Sequence, residues 1–233
     1  MSISPSPEPA AVDRTRDHIP DSASYWVLGG AVSALLMLVA TVHLFREQLH
    51  SGCTLAAPGI EGAGTWTCGD GLSLLQPVVE SGAMTIVLTV IGVLVAARLR
   101  NDRVARVALT ALAVGAVTWM LLWTWDAASR VYETLPAGVH PQHHWFSAVG
   151  PAAVVAVAAL AVAVVSALLP GRVARVLLLV AIALLGVATV LQVGLAASTL
   201  LAMGLLAGAR TRTGVAGSGG AERATVRTAG AAS

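Results

Sequence analysis

The sequence contains no lysine and few charged residues of any kind. Arginine supplies all 14 basic side chains, and charged residues make up 11% of the 233 positions, against roughly a quarter in soluble domains. Aromatic residues are also scarce, at 4%, whereas 56% of the chain is hydrophobic and the mean hydropathy is +0.79. This shortage of charge excludes an ordinary soluble domain and predicts an integral membrane protein.

The arginines also bear on the source and the partners of the protein. Arginine without lysine, beside long runs of Ala, Val and Leu, is typical of a GC-rich bacterial genome such as that of an actinobacterium. The net charge is only +2, and the arginines lie in short clusters beside apolar runs. The arginine clusters are typical of signals that set membrane topology. Together with the small net charge, they predict no nucleic-acid partner.

Several apolar runs are long enough to cross a bilayer, which takes about 20 residues of helix. The predicted spans are 25–45, 78–97, 104–125, 146–169, 174–191 and 194–209. The last two come from a single apolar run, Val176–Ala209, which would be about 50 Å long as one helix at 1.5 Å per residue. We therefore expect a tight hairpin near Leu191–Gly194, where an amide side chain is followed closely by glycine.

The distribution of arginine favours six spans over the alternative of five. Short cytoplasmic loops retain positive residues. Six spans with both termini in the cytoplasm leave only Arg46 and Arg130 outside, whereas five would export the four arginines of the tail. The sequence thus predicts an all-α, six-span helical bundle over 23–210 in the bacterial inner membrane, with loops 46–77 and 126–145 outside. We expect the polar segments 1–22 and 211–233 to be disordered in the cytoplasm.

The two cysteines, Cys53 and Cys68, lie in the first outer loop. Because the space outside a bacterial inner membrane is oxidising, they predict a disulfide. The alternative is a redox-active pair that exchanges electrons with a quinone. Such pairs usually have the CxxC spacing, which this sequence lacks.

Histidines are concentrated near the same two loops, and they raise the possibility of a copper or zinc site. The candidate ligands are His43, Glu47, His50, His140, His143 and His144. The first three have the spacing i, i+4, i+7, which places them on one face of a helix that leaves the first span. Neutral imidazole is a common ligand of transition metals, so convergence of the two groups would form a site. The alternative is a set of solvated side chains at helix ends.

Little in the sequence points to catalysis or transport. Glu80 and Asp126 are expected near the outer ends of their spans and would be the acid or base of an enzyme acting on lipid or quinone. However, the sequence has no GxSxG, HExxH or phosphate-binding glycine motif. The polar residues in the middle of the spans are hydroxyls such as Ser33, Thr89 and Thr118, and none is charged, which argues against ion-coupled transport.

Small residues and tryptophans complete the pattern. Gly204 and Gly208 form a GxxxG pair, which lets helices pack closely within one chain or between chains. Four tryptophans at the expected outer ends of spans three and four predict an interfacial belt; these are Trp119, Trp123, Trp125 and Trp145.

The leading hypothesis from the sequence is a non-enzymatic scaffold or accessory subunit. It would lie in the lipid bilayer and bind a membrane-protein partner, or a second copy of itself, through its outer loops and small-residue helix faces. The rival hypothesis is extracytoplasmic binding or handling of copper or zinc through the histidines. A membrane enzyme at the outer interface is the third.

Overall fold

The computed structural model describes residues 22–51, 53–56, 64–68, 72–130 and 142–212. The described chain is mostly helical, with one short antiparallel hairpin. Its elements are α1 Ser22–Leu36, α2 Leu38–His43, β1 Cys53–Leu55, β2 Trp66–Cys68, α3 Leu72–Arg98, α4 Asp102–Arg130, α5 Gln142–Ala148, α6 Gly150–Leu168, α7 Gly171–Leu191 and α8 Ala196–Thr211. The expected disorder of 1–22 and 211–233 concerns segments that lie almost wholly outside the described residues.

Five helices are long and apolar enough to cross a membrane, namely Leu75–Arg98, Asp102–Ser129, Gly150–Leu168, Gly171–Leu191 and Val193–Thr211. A sixth span results if the bent pair Ser22–Leu36 and Leu38–Gln48 is counted as one. The prediction of an all-α membrane bundle is confirmed. The long apolar run is broken at Gln192, after which a 3₁₀ turn, Val193–Leu195, leads into α8.

Two predicted spans differ in detail from the helices that form. The first bends by 45° at Met37, whose amide is shared between the carbonyls of Ser33 and Ala34, each at 3.2 Å. One turn earlier the Ser33 hydroxyl donates to the Gly29 carbonyl at 2.9 Å, an arrangement that often bends helices. The predicted span 146–169 corresponds to α6, and its first three residues belong instead to the short helix α5, which ends just before Val149.

Helix α8 lies at the centre of the bundle and packs backbone to backbone against α1. In the most apolar stretch of α8, 72% of the residues are buried, against 22% in the most apolar stretch of α3. A Cβ atom added to Gly30 would lie 2.8 Å from the Cα of Gly204, and one added to Gly208 would lie 3.1 Å from the Ala23 carbonyl oxygen. The GxxxG pair is therefore used within the chain, where glycine permits this close approach.

Alanine plays the same role between α6 and α7. On α6 the buried residues recur every three or four positions, at Ala152, Ala156, Ala159 and Ala163. On α7 the buried residues alternate between alanine and leucine; they are Ala174, Leu178, Ala181, Leu185 and Ala188. The small and large side chains of these two buried rows interlock. The valines on the outer faces stay exposed, as expected for contact with lipid.

The two ends of the bundle differ in chemistry. We call the end with the α3–α4 and α6–α7 turns and the last turn of α8 the arginine end. It holds Arg98, Arg100, Arg103, Arg106, Arg172, Arg175, Arg210 and Arg212. The opposite end, with β1, β2, α5 and the α7–α8 break, we call the disulfide end.

Some of these arginines have a structural role that the sequence did not suggest. Arg106 is buried, and its Nη2 donates to the Ala167 carbonyl at 3.4 Å. Arg212 donates to the Ala96 carbonyl and forms an ion pair with Asp102 at 3.4 Å. Both carbonyls belong to the last turn of a helix, where they lack partners within the helix and attract cations. The arginines thereby stabilise the C-terminal ends of α6 and α3.

Candidate functional site

The first feature of the disulfide end is a small hairpin closed by the disulfide. Cys53 and Cys68 are bonded, with an S–S distance of 2.01 Å, which confirms the predicted pair. They face each other across two antiparallel strands, in which Thr54 also pairs with Thr67 and Leu55 with Trp66. The strands themselves were not predicted. Their signal was the mirrored order of residue types in Cys-Thr-Leu and Trp-Thr-Cys.

The hairpin is attached to the end of the first span by His50. After α2 the chain makes a wide π-helical turn, Leu44–Gln48, and His50 then adopts a positive φ of 50°, which redirects the chain into β1. The imidazole of His50 stacks on Trp66, with 4.3 Å between ring centroids and 28° between planes. A polar residue of the helix end thus holds the hairpin in place.

Among the described residues, His50 and His144 bring the two groups of histidines near each other. His50 and His144 lie 6.4 Å apart, measured between ring centroids. Burial lowers the pKa of His50 from its ordinary value of 6.5, and the nearby His144 lowers it further, against the opposite effects of the Gln48 backbone and Glu47. Neutral imidazole is the form that binds metals.

The remaining candidate ligands do not complete a metal site within the described residues. His43 is exposed. Glu47 is also exposed, and its Oε1 lies 3.7 Å from Arg46 Nε. His140 and the side chain of His143 lie outside the described part of the chain. In that part, no three His, Cys, Asp or Glu side chains are placed to hold one ion.

The two candidate carboxylates lie on α3 and α4. Glu80 accepts a hydrogen bond from Gln76 Nε2 at 2.8 Å, within one face of α3. Asp126 is exposed near the end of α4. Neither is among the described residues that line the groove considered next.

An open groove of about 1010 Å³ lies between the first span and the α7–α8 break. Its first wall is formed by Leu36, Met37, Val39, Ala40 and His43, and its second by Val190, Leu191, Gln192, Val193 and Gly194. Gln48, His144, Ser147 and Ala148 close it at the disulfide end. The groove is apolar along its length and polar at one end.

Gln192 holds the floor of this groove together, and its side chain is 6% exposed. Its Nε2 donates to Gln48 Oε1 and to the Ala148 carbonyl, both at 2.7 Å, while its Oε1 accepts from the Gly194 amide at 3.2 Å. One side chain thus joins the first span, the α5–α6 junction and the α7–α8 break. Sequence reasoning identified Gln192 only as a residue of a turn.

Gly194 provides the space for this junction. A Cβ atom at this position would lie 2.4 Å from the Cβ of Leu44 and 2.7 Å from its Cδ2. The Gly194 carbonyl also accepts a hydrogen bond from the buried Thr41 hydroxyl at 3.2 Å. The first span and the α7–α8 break are therefore in direct contact beneath the groove.

The tryptophans join helices to one another more than the belt prediction implied. Trp145 is only 8% exposed, and its Nε1 donates to Thr124 Oγ1 at 3.2 Å. Trp123 packs on Phe45 with 4.4 Å between centroids and stacks with Trp119 at 5.0 Å. The hydrogen bond of Trp145 links α5 to α4, because a buried indole needs a partner for its N–H. The contact between Trp123 and Phe45 links α4 to the first span.

Taken together, the disulfide end offers a fixed hairpin, a pair of imidazoles and a preformed groove with hydrogen-bonding groups at one end. These features suit the binding of a partner or a ligand. Comparison with known proteins finds no matching family model, no significantly similar curated protein and no significantly similar solved structure.

Proposed function

We propose that this chain is a non-enzymatic accessory subunit of a bacterial membrane complex, and that it binds a partner protein through the disulfide end. The observation behind this proposal is the fixed hairpin. A disulfide closes it, and the stack of Trp66 on His50 attaches it to the first span. A surface ordered in this way loses little conformational entropy on binding, which favours recognition.

The helical bundle supports an accessory role over transport. The middle third of each long described helix carries no acidic or basic side chain, whereas proton relays and ion-coupled transporters usually hold such groups at mid-depth, facing a cavity. Gly204 and Gly208 pack against α1 of the same chain. We therefore assign partner binding to the disulfide end, and contact with lipid to the exposed valines and leucines of α3, α6 and α7.

We place the disulfide end outside the cell membrane, and the arginine end with both termini in the cytoplasm. Disulfides persist in oxidising compartments, and arginine-rich turns are retained inside. The test uses intact cells, a reductant and a membrane-impermeant maleimide. Cys53 and Cys68 are expected to react after reduction, and protection until the cells are lysed would reverse the orientation.

Purification in a mild detergent tests the accessory role. We expect a second protein to co-purify with the full chain in a fixed ratio. The double variant Cys53→Ser/Cys68→Ser should lose that protein while remaining in the membrane, whereas Gly115→Ala, at a site with open space around it, should keep it. A wild-type chain that elutes alone as a monomer would contradict the proposal.

The second candidate function is the binding of copper or zinc, and the 6.4 Å approach of His50 and His144 favours it. Two imidazoles that share a zinc ion at about 2.1 Å have ring centres roughly 5–6 Å apart, so a small rotation of either ring would suffice. Burial and the nearby His144 lower the pKa of His50, which favours the neutral form that binds metals. His43 stands at the same end as a further imidazole.

Metal analysis of the purified full chain separates this candidate from the first. Zinc or copper is offered at stoichiometric amounts, and the retained metal is measured after gel filtration. The metal hypothesis expects about one ion per chain in the wild type and none in His50→Ala/His144→Ala, with Ser51→Ala as the matched control. Equal retention in all three proteins, or none in the wild type, would eliminate it.

A further inference from the structure

We infer that the groove between the first span and the α7–α8 break binds a neutral glycerolipid of the diacylglycerol type. This ligand goes beyond the partner-binding role proposed above and stands on separate observations. The groove measures about 1010 Å³, a volume at the upper end of the range for small-molecule sites. Its polar end and its apolar walls each restrict what fits there.

The apolar walls open sideways towards the surroundings of the bundle. Leu36, Val39 and Val190 line the groove and are 75%, 78% and 81% exposed. These are helix positions within the apolar spans, so in a membrane they adjoin hydrocarbon and not water. A ligand with an apolar chain can therefore enter from the bilayer.

The polar end provides imidazole, amide and hydroxyl groups as hydrogen-bond donors and acceptors. His43, Gln48, His144, Ser147 and Gln192 line it, and the described lining contains no Arg, Lys, Asp or Glu. A phosphate head would find no Arg or Lys there to replace its hydration. Ester carbonyls and a free hydroxyl need only the donors and acceptors that imidazole, amide and hydroxyl side chains offer.

The lining of the groove argues against a quinone. A quinone ring would gain most from stacking on aromatic side chains, and the described lining has no Phe, Tyr or Trp. Aliphatic walls of Leu, Val and Met suit acyl chains.

The groove is also held open before any ligand arrives. The 45° bend at Met37 lies in the first wall. Gln192 fixes the floor through its bonds to Gln48 and Ala148. A site preformed in this way does not spend binding energy on its own rearrangement.

Photolabelling of the full chain in lipid nanodiscs tests this inference. The probe is a diacylglycerol with a diazirine in one acyl chain, and peptide mass spectrometry locates the adducts. We expect labels on groove peptides of the first span and of residues 187–194, and competition by excess unlabelled diacylglycerol. Labelling spread evenly over exposed faces such as α3 would show ordinary lipid contact and overturn the inference.

Variants and competitors sharpen the test. His43→Leu removes a polar partner at an exposed position and should weaken probe binding about threefold to tenfold, as expected for one hydrogen bond. Ala40→Trp fills the groove and should abolish saturable labelling, whereas Val90→Trp on the exposed face of α3 should leave it unchanged. Unchanged labelling in both groove variants would refute the site. Stronger competition by phosphatidylglycerol or by a menaquinone analogue would refute the neutral glycerolipid as its ligand.

Because purified chain is used without any partner protein, this result is independent of the accessory role. A lone monomer that is labelled in the groove would support the lipid site and contradict the accessory role. A stable complex with a partner protein but without saturable labelling would support the accessory role and contradict the lipid site.

Discussion

Replacing Gly194 by alanine tests how the first span and the α7–α8 break are joined. The added Cβ would lie 2.4 Å from Leu44 Cβ, and Leu44 is almost fully buried. Overpacking of this kind costs about 1–3 kcal/mol. The displaced backbone would also weaken the hydrogen bonds that Gly194 forms with Thr41 and Gln192, each worth about 1 kcal/mol.

We therefore expect Gly194→Ala to lower the free energy of unfolding by about 2–4 kcal/mol. For a chain of this size that corresponds to a fall in Tm of roughly 5–15 °C, measured by tryptophan fluorescence in nanodiscs during heating. Gly115→Ala is the matched control, because its Cβ would meet open space. In a helix interior this change should be neutral or stabilise by up to about 1 kcal/mol.

A double-variant cycle identifies the cause. If the clash with Leu44 is responsible, the destabilisation by Gly194→Ala and by Leu44→Gly, which removes the Cβ with the rest of the side chain, should sum to at least about 1 kcal/mol more than that of the double variant. Equal stability of Gly194→Ala and Gly115→Ala would refute the close contact beneath the groove. Strict additivity of the two substitutions would refute Leu44 as the obstructing side chain.

Three further predictions concern the same end of the bundle. Gln192→Leu leaves the Ala148 carbonyl and the Gly194 amide without their partner. In denaturant titrations it should lower the free energy of unfolding by about 2–4 kcal/mol. The control Gln76→Leu, on the surface of α3, should change that free energy by less than about 0.5 kcal/mol. Cys53→Ser/Cys68→Ser should destabilise the hairpin by about 3 kcal/mol, as expected for cysteines 15 residues apart, and hydrogen exchange of residues 53–68 should report it. The attachment of the hairpin to the first span through the His50–Trp66 stack should weaken as the pH falls from 7.5 to 5.5. The pKa of His50 lies below its ordinary 6.5 in the folded chain, so the unfolded chain binds the proton more readily. His50→Phe should remove this pH dependence of hydrogen exchange, and an unchanged dependence would show that another group titrates.

The sequence was informative where local composition decides the structure. Lengths of apolar runs predicted the helices, and two cysteines in one loop predicted their disulfide. The amide followed by glycine near Leu191–Gly194 marked the region where the run is interrupted. Each of these inferences depends on neighbouring residues and on the cost of burying charge or unpaired backbone in lipid.

What the sequence did not reveal depends on residues far apart in the chain. Gln192 bonds to Gln48, 144 positions away, and the Thr41 hydroxyl reaches the Gly194 carbonyl across 153. No local pattern specifies such pairs. The approach of His50 to His144 likewise needed the hairpin, α5 and the end of the first span to be assembled first.

The Trp145 side chain illustrates the same limit. Its position beside a span predicted a place in the interfacial belt, yet the indole is buried and bonded to Thr124. Belt anchoring and helix–helix packing use the same residue type at the same depth, so position along the chain does not separate them. The partner hydroxyl on α4 makes the difference.

Site-specific photocrosslinking in native membranes tests most directly whether the protein acts through its disulfide end. A benzophenone amino acid replaces Thr54, exposed on the hairpin, or Val104, exposed at the arginine end. We expect irradiation of the Thr54 variant to give one discrete protein adduct of higher mass, and the Val104 variant to give none. An adduct from Val104 alone, or no protein adduct from Thr54, would contradict the account.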